Sequence, residues 1–217
     1  MADVIQTKPT LRRRIIEAAD ALIREHGLAG ATTREIARAA GCAEGSIYVH
    51  FEDKIDLVIA VIVEREPSFA DLLELPAKAG ADTVEANLVP WVEELLKLLS
   101  DNQPIFLALL GDRAVFERFK ARVRERETGP VAVFLAATAY VRAEQELGRI
   151  DGGVQPEIVA TILVGASRDQ VFARAFAAKE SAPPRAFAEE LVGTLVSGLA
   201  PSRIGEQETA NVEEELS

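Results

Sequence analysis

The chain has 217 residues, 48% of them apolar and 27% charged, the proportions of a packed protein rather than a disordered one. Its formal charge of −11 is uneven: residues 1–54 hold eight Lys/Arg against eight Asp/Glu, and the remainder carries all of the excess acid. Affinity for nucleic acid must therefore be local to the N-terminal end, because the rest of the chain repels phosphate. The single cysteine, Cys42, excludes an internal disulfide framework and a thiolate-rich metal site. No apolar run reaches the length of about 18 residues that a membrane span needs. The N-terminal stretch lacks the cationic-then-apolar order of a secretion signal, so a cytoplasmic location is expected.

Period-two runs and hairpin turns are absent, whereas helical periodicity is everywhere, and the expected class is all-α. In the first segment Leu11, Ile15, Ala18, Ala19, Leu22 and Ile23 share one face, and Gly27 sits where a helix ends in a left-handed residue. Thr32 and Thr33 offer an N-cap for a short helix, Arg34–Ala40, that stops at Gly41. A second short segment, Glu44–Phe51, follows, and a longer helix begins near Asp53 with Ile55, Val58, Ile59 and Ile62 on its buried side. Beyond it, proline punctuation predicts helices at 82–100, 104–111, 113–127, 130–147, 156–179 and 184–199, with Pro90 kinking the first or marking its start. The acidic tail 201–217 has few anchors and is expected to be frayed or disordered. The architecture this implies is an N-terminal tri-helical helix-turn-helix head on a larger C-terminal helical bundle, about nine helices in all.

The segment 32–54 carries the functional signal. Ala37, Gly41 and Ile47 have the spacing required where two helices cross steeply through a tight turn: a small residue at the crossing, a glycine in the turn and a buried anchor on the second helix. Ile36 and Cys42 fill the flanking apolar slots, Cys42 as a small buried hydrophobe. Glu44–His50 then becomes a recognition helix for the major groove. Thr33, Ser46 and Tyr48 bring hydroxyls, Lys54 a cation, Gly45 room for close approach, and Lys8, Arg12, Arg13 and Arg14 a basic cluster beside the unit. Several have a blander reading. Arg12–Arg14 also suit a solvated face, and Tyr48 a core aromatic with its hydroxyl at the surface. His50 suits either a phosphate contact or the packing under the helix. Glu44 could accept a hydrogen bond from cytosine N4 or serve only the positive helix end.

Thr33, Arg34, Glu35, Ile36 and Ala37, with Ala40-Gly41, Gly45–Tyr48, His50-Phe51 and Lys54, resemble the tetracycline-repressor (TetR) family of bacterial regulators over about 45 residues, Leu11 to roughly Leu57. The rest of the chain is similar only in length and helical character. The resemblance implies a homodimer with two N-terminal reading heads and a C-terminal body that binds ligand and dimerises. It implies that Thr33, Tyr48 and Lys54 hold phosphates, while Arg34, Glu44 and Ser46 lie where the family touches bases or backbone. Cys42 departs from the larger aliphatic residue usual there. The expected domains are 1–54 for DNA binding, 55–200 for ligand and dimerisation, and 201–217 as the tail.

Two further expectations concern the body. Helices 156–179 and 184–199 are apolar on more than one side, which calls for a second surface. A four-helix contact between two copies, through Ile162, Phe172, Phe176, Leu191 and Leu195, is the simplest answer; a thick monomer core is the other. Trp91, Phe106, Phe116, Phe119, Phe134 and Tyr140 cluster beside broken helices, where they either pack as ordinary core or line a cavity for a small hydrophobic ligand. The Arg118, Arg122 and Arg126 ladder is expected to be a solvated helix face. The function expected is that of a ligand-responsive DNA-binding regulator, a repressor released from a palindromic operator when the ligand binds. A regulator controlled by a protein partner is the alternative, and a helical enzyme a remote one, with only His26 and His50 present and no catalytic motif. No cofactor, metal or membrane partner is expected.

Overall fold

The computed structural model describes residues 9–64, 67–126, 128–176 and 183–199, apart from the side chains of 67, 68, 175, 176 and 199. The acidic tail and Lys8 lie outside them. The described residues hold ten α-helices, a 3-10 turn at Leu75–Lys78, and no strand. Helix α1 (Leu11–Gly30) is broken at Gly27, where the sequence places its left-handed residue. Gly27 takes φ 72°, ψ 171°, and one more turn follows that places Leu28 in the core. Only glycine takes that backbone without strain.

Helices α2 (Thr33–Ala40) and α3 (Glu44–His50) follow as the residues predict. Thr32 caps α2 in a reciprocal box with Glu35, and Gly41 turns the chain at φ 68°. Helix α4 (Lys54–Glu64) is buried continuously from Ile55 to Ile62, so its polar residue Asp56 is inside the protein. Helix α5 (Pro67–Leu73) was not foreseen in the sequence.

Helix α6 (Val84–Leu110) corrects a larger expectation, since it runs through both Pro90 and Pro104 and joins what had been read as two helices. Each proline removes one backbone donor, but Leu88, Val92, Leu95, Ile105 and Leu109 bury the helix on both sides of the breaks and tertiary packing outweighs the local defect. Helices α7 (Arg113–Glu125), α8 (Pro130–Glu146), α9 (Pro156–Phe176) and α10 (Pro184–Leu199) complete the chain. Asp112 caps α7 by accepting from the Ala114 and Val115 amides. The part of 156–179 beyond Phe176 lies outside the described residues.

Two apolar cores result. One joins α1, α2, α3 and α4 to Ile105 and Leu109 of α6 and to Phe119 and Val123 of α7. The other is built from α5, the 3-10 turn, most of α6, α8, α9 and α10. The first core thus extends past Lys54 into α4 and takes four large side chains from the C-terminal region.

Candidate nucleic-acid interface and ligand cavity

Helix α3 is held from beneath and free above. Ile47 is completely buried, whereas Tyr48 is 53% and Val49 80% exposed. Glu44, Gly45 and His50 are exposed and Ser46 is half-buried. Tyr48 is therefore not a core aromatic. Cys42 is half-buried against the same core, and its backbone N–H donates to the Ala37 carbonyl across the turn at 2.9 Å. The His50 ring meets Phe51 at its edge, with centroids 6.4 Å apart.

The polar residues around α3 have particular partners. The Thr33 hydroxyl donates to Glu44 Oε1 at 2.6 Å, which ties the start of α2 to the start of α3. The Lys54 ammonium donates to the Leu28 carbonyl, and burial pushes its pKa down. Arg13 pairs with Glu17 on the exposed face of α1. Arg12 turns inward instead: it lies 4.5 Å over the Phe51 ring, donates to the His50 carbonyl and pairs with Glu64. Arg34 is exposed and makes no hydrogen bond or ion pair among the described residues.

The six aromatics of the body separate. Phe106, Phe116 and Phe119 line a cavity between the end of α6, α7 and α9, of about 820 Å³ with its open mouth included. Trp91 is instead packed in the second core, its indole donating to the Leu72 carbonyl at 3.0 Å. Tyr140 is wholly buried there, its hydroxyl accepting from the Asn87 amide, and burial drives its pKa far up. Phe134 is half-buried against that core. The sequence reading missed Leu99, Gln103, Leu109, Val164, Arg168 and Val171 of the lining. The doubly apolar character of 156–179 is the available signal, since an extra apolar face can line a cavity as well as a contact between copies.

Among the pairing residues, Phe172 lines the cavity, while Leu191 and Leu195 are half-buried against the second core. Ile162 is exposed beside Ile158 on α9, and the Phe176 side chain lies outside the described residues. The arginine ladder of α7 is not a solvated face throughout. Arg122 Nη1 donates to Asp56 Oδ1 at 2.6 Å and Arg126 Nη2 to Asp56 Oδ2 at 2.8 Å, on a carboxylate that is 3% exposed. Arg122 also reaches Glu52 and Asp53, and these three carboxylates raise its pKa against the cost of burial. A buried carboxylate needs such partners, and Arg118 alone keeps the solvated role.

The chain resembles known proteins at two levels. Residues 15–61 match the family described as bacterial regulatory proteins, tetR family. Across nearly the whole chain the fold is that of the transcriptional regulator FadR from Bacillus subtilis, solved with stearoyl-CoA, at 20% identity and TM-score 0.65, covering 86% of this chain and 98% of that one. It is likewise that of the fatty acid degradation regulator FadR from Bacillus halodurans, at 21% identity and TM-score 0.64, covering 88% and 97%. NalD of Pseudomonas aeruginosa, the secondary repressor of the MexAB-OprM multidrug efflux pump, shares the fold at 22% identity and TM-score 0.58, covering 88% and 96%. The match over residues 15–61 thus gives the head the sequence pattern of bacterial regulatory proteins of the tetR family, and the full chain shares the fold of solved transcriptional regulators.

Proposed function

We propose that the protein is a homodimeric repressor that leaves a palindromic operator when an apolar small molecule fills the cavity between α6, α7 and α9. The observation that carries this reading is a sharing of side chains. Leu109 and Phe119 line the cavity and are also members of the core that seats the DNA-reading head. A molecule that displaces them acts directly on the packing under α1 and α4. The Asp56 clamp adds a second link, because α7 carries Phe116 and Phe119 toward the cavity and Arg122 and Arg126 toward α4. A ligand preferred by the conformation with misplaced heads lowers operator affinity by its differential affinity for the two states. A coupling of about 1–3 kcal/mol corresponds to roughly 5–150-fold.

On DNA, the exposed face of α3 enters the major groove, and two copies place two such helices about 34–36 Å apart. The pairing surface in this reading is formed by α9, where Ile158 and Ile162 are exposed, and α10, which offers the small residues Gly193 and Ser197 for close approach. Tyr48 supplies a phenolic donor to phosphate. Lys54 spends one of three ammonium donors on Leu28 and has two left for phosphate. The Thr33 hydroxyl is committed to Glu44, so its unpaired backbone N–H at the first position of α2 makes the phosphate contact. Glu44 keeps its second carboxylate oxygen for cytosine N4, and Arg34 reaches a base edge. Ser46 and His50 add donors to phosphate, Arg13 adds the guanidinium N–H groups that its Nε contact with Glu17 leaves over, and Gly45 admits the DNA closely. The body 55–200 is the unit that binds ligand and dimerises, and a DNA target places the protein in the cytoplasm.

The test is a set of titrations on operator and scrambled duplexes. Tyr48→Phe and Lys54→Ala weaken binding on both, whereas Arg34→Ala and Glu44→Gln change the ratio between them. Equal losses on both duplexes for Arg34 and Glu44 would refute the assignment of bases to those residues. A ligand-free operator complex indifferent to every apolar molecule bound by the protein would refute the switch.

A further inference from the structure

We propose that the ligand of this cavity is an anion with an apolar tail, its charged end held by Arg168 at the mouth and its tail among Phe106, Phe116, Phe119 and Phe172. The inference rests on the cavity being the ligand site and adds the chemical class of what enters it. The lining is almost wholly aromatic and aliphatic, with two polar exceptions, Gln103 and Arg168. Gln103 is neutral and is oriented by its amide nitrogen donating to the Val171 carbonyl at 3.3 Å, so it adds polarity but no charge to the lining. Arg168 makes no hydrogen bond or ion pair among the described residues. Among the described residues no Asp or Glu lines the cavity, although acids outnumber bases 35 to 24 in the chain.

That arrangement discriminates between ligands. A neutral molecule filling the cavity covers part of the guanidinium, strips its water and returns no hydrogen bond, so the burial of its tail is partly offset. A molecule ending in carboxylate or phosphate replaces the lost water with charge-assisted hydrogen bonds, in the paired geometry that guanidinium favours. Arg168 is exposed on its outer side, so solvent screens the pair and the preference is about tenfold, at the low end of what hydrogen bonds to charged groups give. The anion has two chemical sources. It is either the carboxylate of a free long-chain acid or a phosphate of the corresponding coenzyme A thioester, whose own acyl carbonyl is neutral.

Isothermal titration calorimetry on the full chain, with dodecanoate, dodecanoyl-CoA and dodecanol below their micelle concentrations, tests this with wild type and Arg168→Gln. At least one of the two anions is expected to bind about tenfold more tightly than dodecanol to wild type. Arg168→Gln abolishes that advantage and leaves dodecanol affinity unchanged. A preference confined to dodecanoate identifies the carboxylate source, and one confined to the thioester identifies the phosphate. Dodecanol binding as tightly as both anions, or an anion advantage that survives Arg168→Gln, overturns the proposal while leaving the cavity as an apolar ligand site. Binding of none of the three overturns both.

Discussion

Phe119→Ala tests whether cavity and head share a wall. Phe119 is buried in the core that seats the DNA-reading head, yet one side of its ring faces the cavity. Removing a fully packed phenylalanine costs about 3–5 kcal/mol through lost transfer energy and the hole left behind. Because the ring already borders a void, the new hole only enlarges it, and the lower bound of about 3 kcal/mol applies. For a chain of this size each kcal/mol moves Tm by about 2–4 °C, which puts the expected fall at about 6–12 °C. Leu110 is the control: it lines the same cavity but is exposed and outside both cores, so Leu110→Ala changes Tm by little. Thermal melts followed by circular dichroism measure both. The same variants in operator titrations by fluorescence anisotropy report coupling, and Phe119→Ala flattens the response to an apolar ligand while Leu110→Ala retains it. A fall of Tm no larger for Phe119→Ala than for Leu110→Ala, or a full ligand response in Phe119→Ala, would refute the shared-wall reasoning.

Three further outcomes follow from single residues. A Cβ built on Gly45 meets no atom within 4 Å, so Gly45→Ala leaves Tm level or raises it through helix propensity, by up to about 1 kcal/mol; operator affinity falls nonetheless if DNA approaches that position, and unchanged affinity would remove Gly45 from the interface. The Thr32 hydroxyl and backbone N–H both donate to the Glu35 carboxylate and hold its pKa below the ordinary 4.5. A depressed folded pKa contributes stability that is present above the unfolded value and lost as pH falls through the folded one. Melts of wild type and Glu35→Gln should therefore converge in acid, and a parallel offset at every pH would contradict the capping-box contribution. Asp56→Asn removes the charge that holds Arg122 and Arg126, and is expected to blunt the ligand response in operator titrations, unlike Arg118→Ala; equal responses in the two variants would exclude the clamp from the coupling.

What could be seen in the sequence was whatever depends on near neighbours. The capping box needs only Thr32 and Glu35 three residues apart, and the turn needs Gly41, so the head was legible almost to the residue. Long-range outcomes were not. Nothing local tells that Arg122 and Arg126 meet a carboxylate 66 and 70 positions earlier, because the same arginines on an isolated helix belong in water. Helix continuity through Pro90 and Pro104 was hidden for the same reason, since it comes from apolar packing around α6 rather than from the backbone there. The aromatics divided by helix rotation. Trp91 and Phe106 both sit on α6, but one faces the second core and the other the cavity, and a helix apolar on several faces leaves that phase open. Arg168, one of two arginines on a largely apolar helix, carries no periodic signal of its own.

In the proposed homodimeric switch, the charge arrangement of the head would let a modest internal movement suffice for regulation. Residues 1–54 have no net charge, and several of their cations are occupied internally: Arg12 by Glu64, Arg13 by Glu17 and Arg24 by Asp20. Affinity for DNA comes largely from neutralised phosphates, so one head with few free cations binds weakly alone. Useful affinity then requires both heads on the operator together, where the second contact gains from effective concentration and is lost when geometry forbids simultaneous engagement. A protein built this way need not unfold or hide its recognition helices to release DNA. In that reading it needs only to shift the distance between them, and α4, buried from Ile55 to Ile62 in the core that also holds Leu109 and Phe119 of the cavity wall, is the element that would convert a filled cavity into that shift.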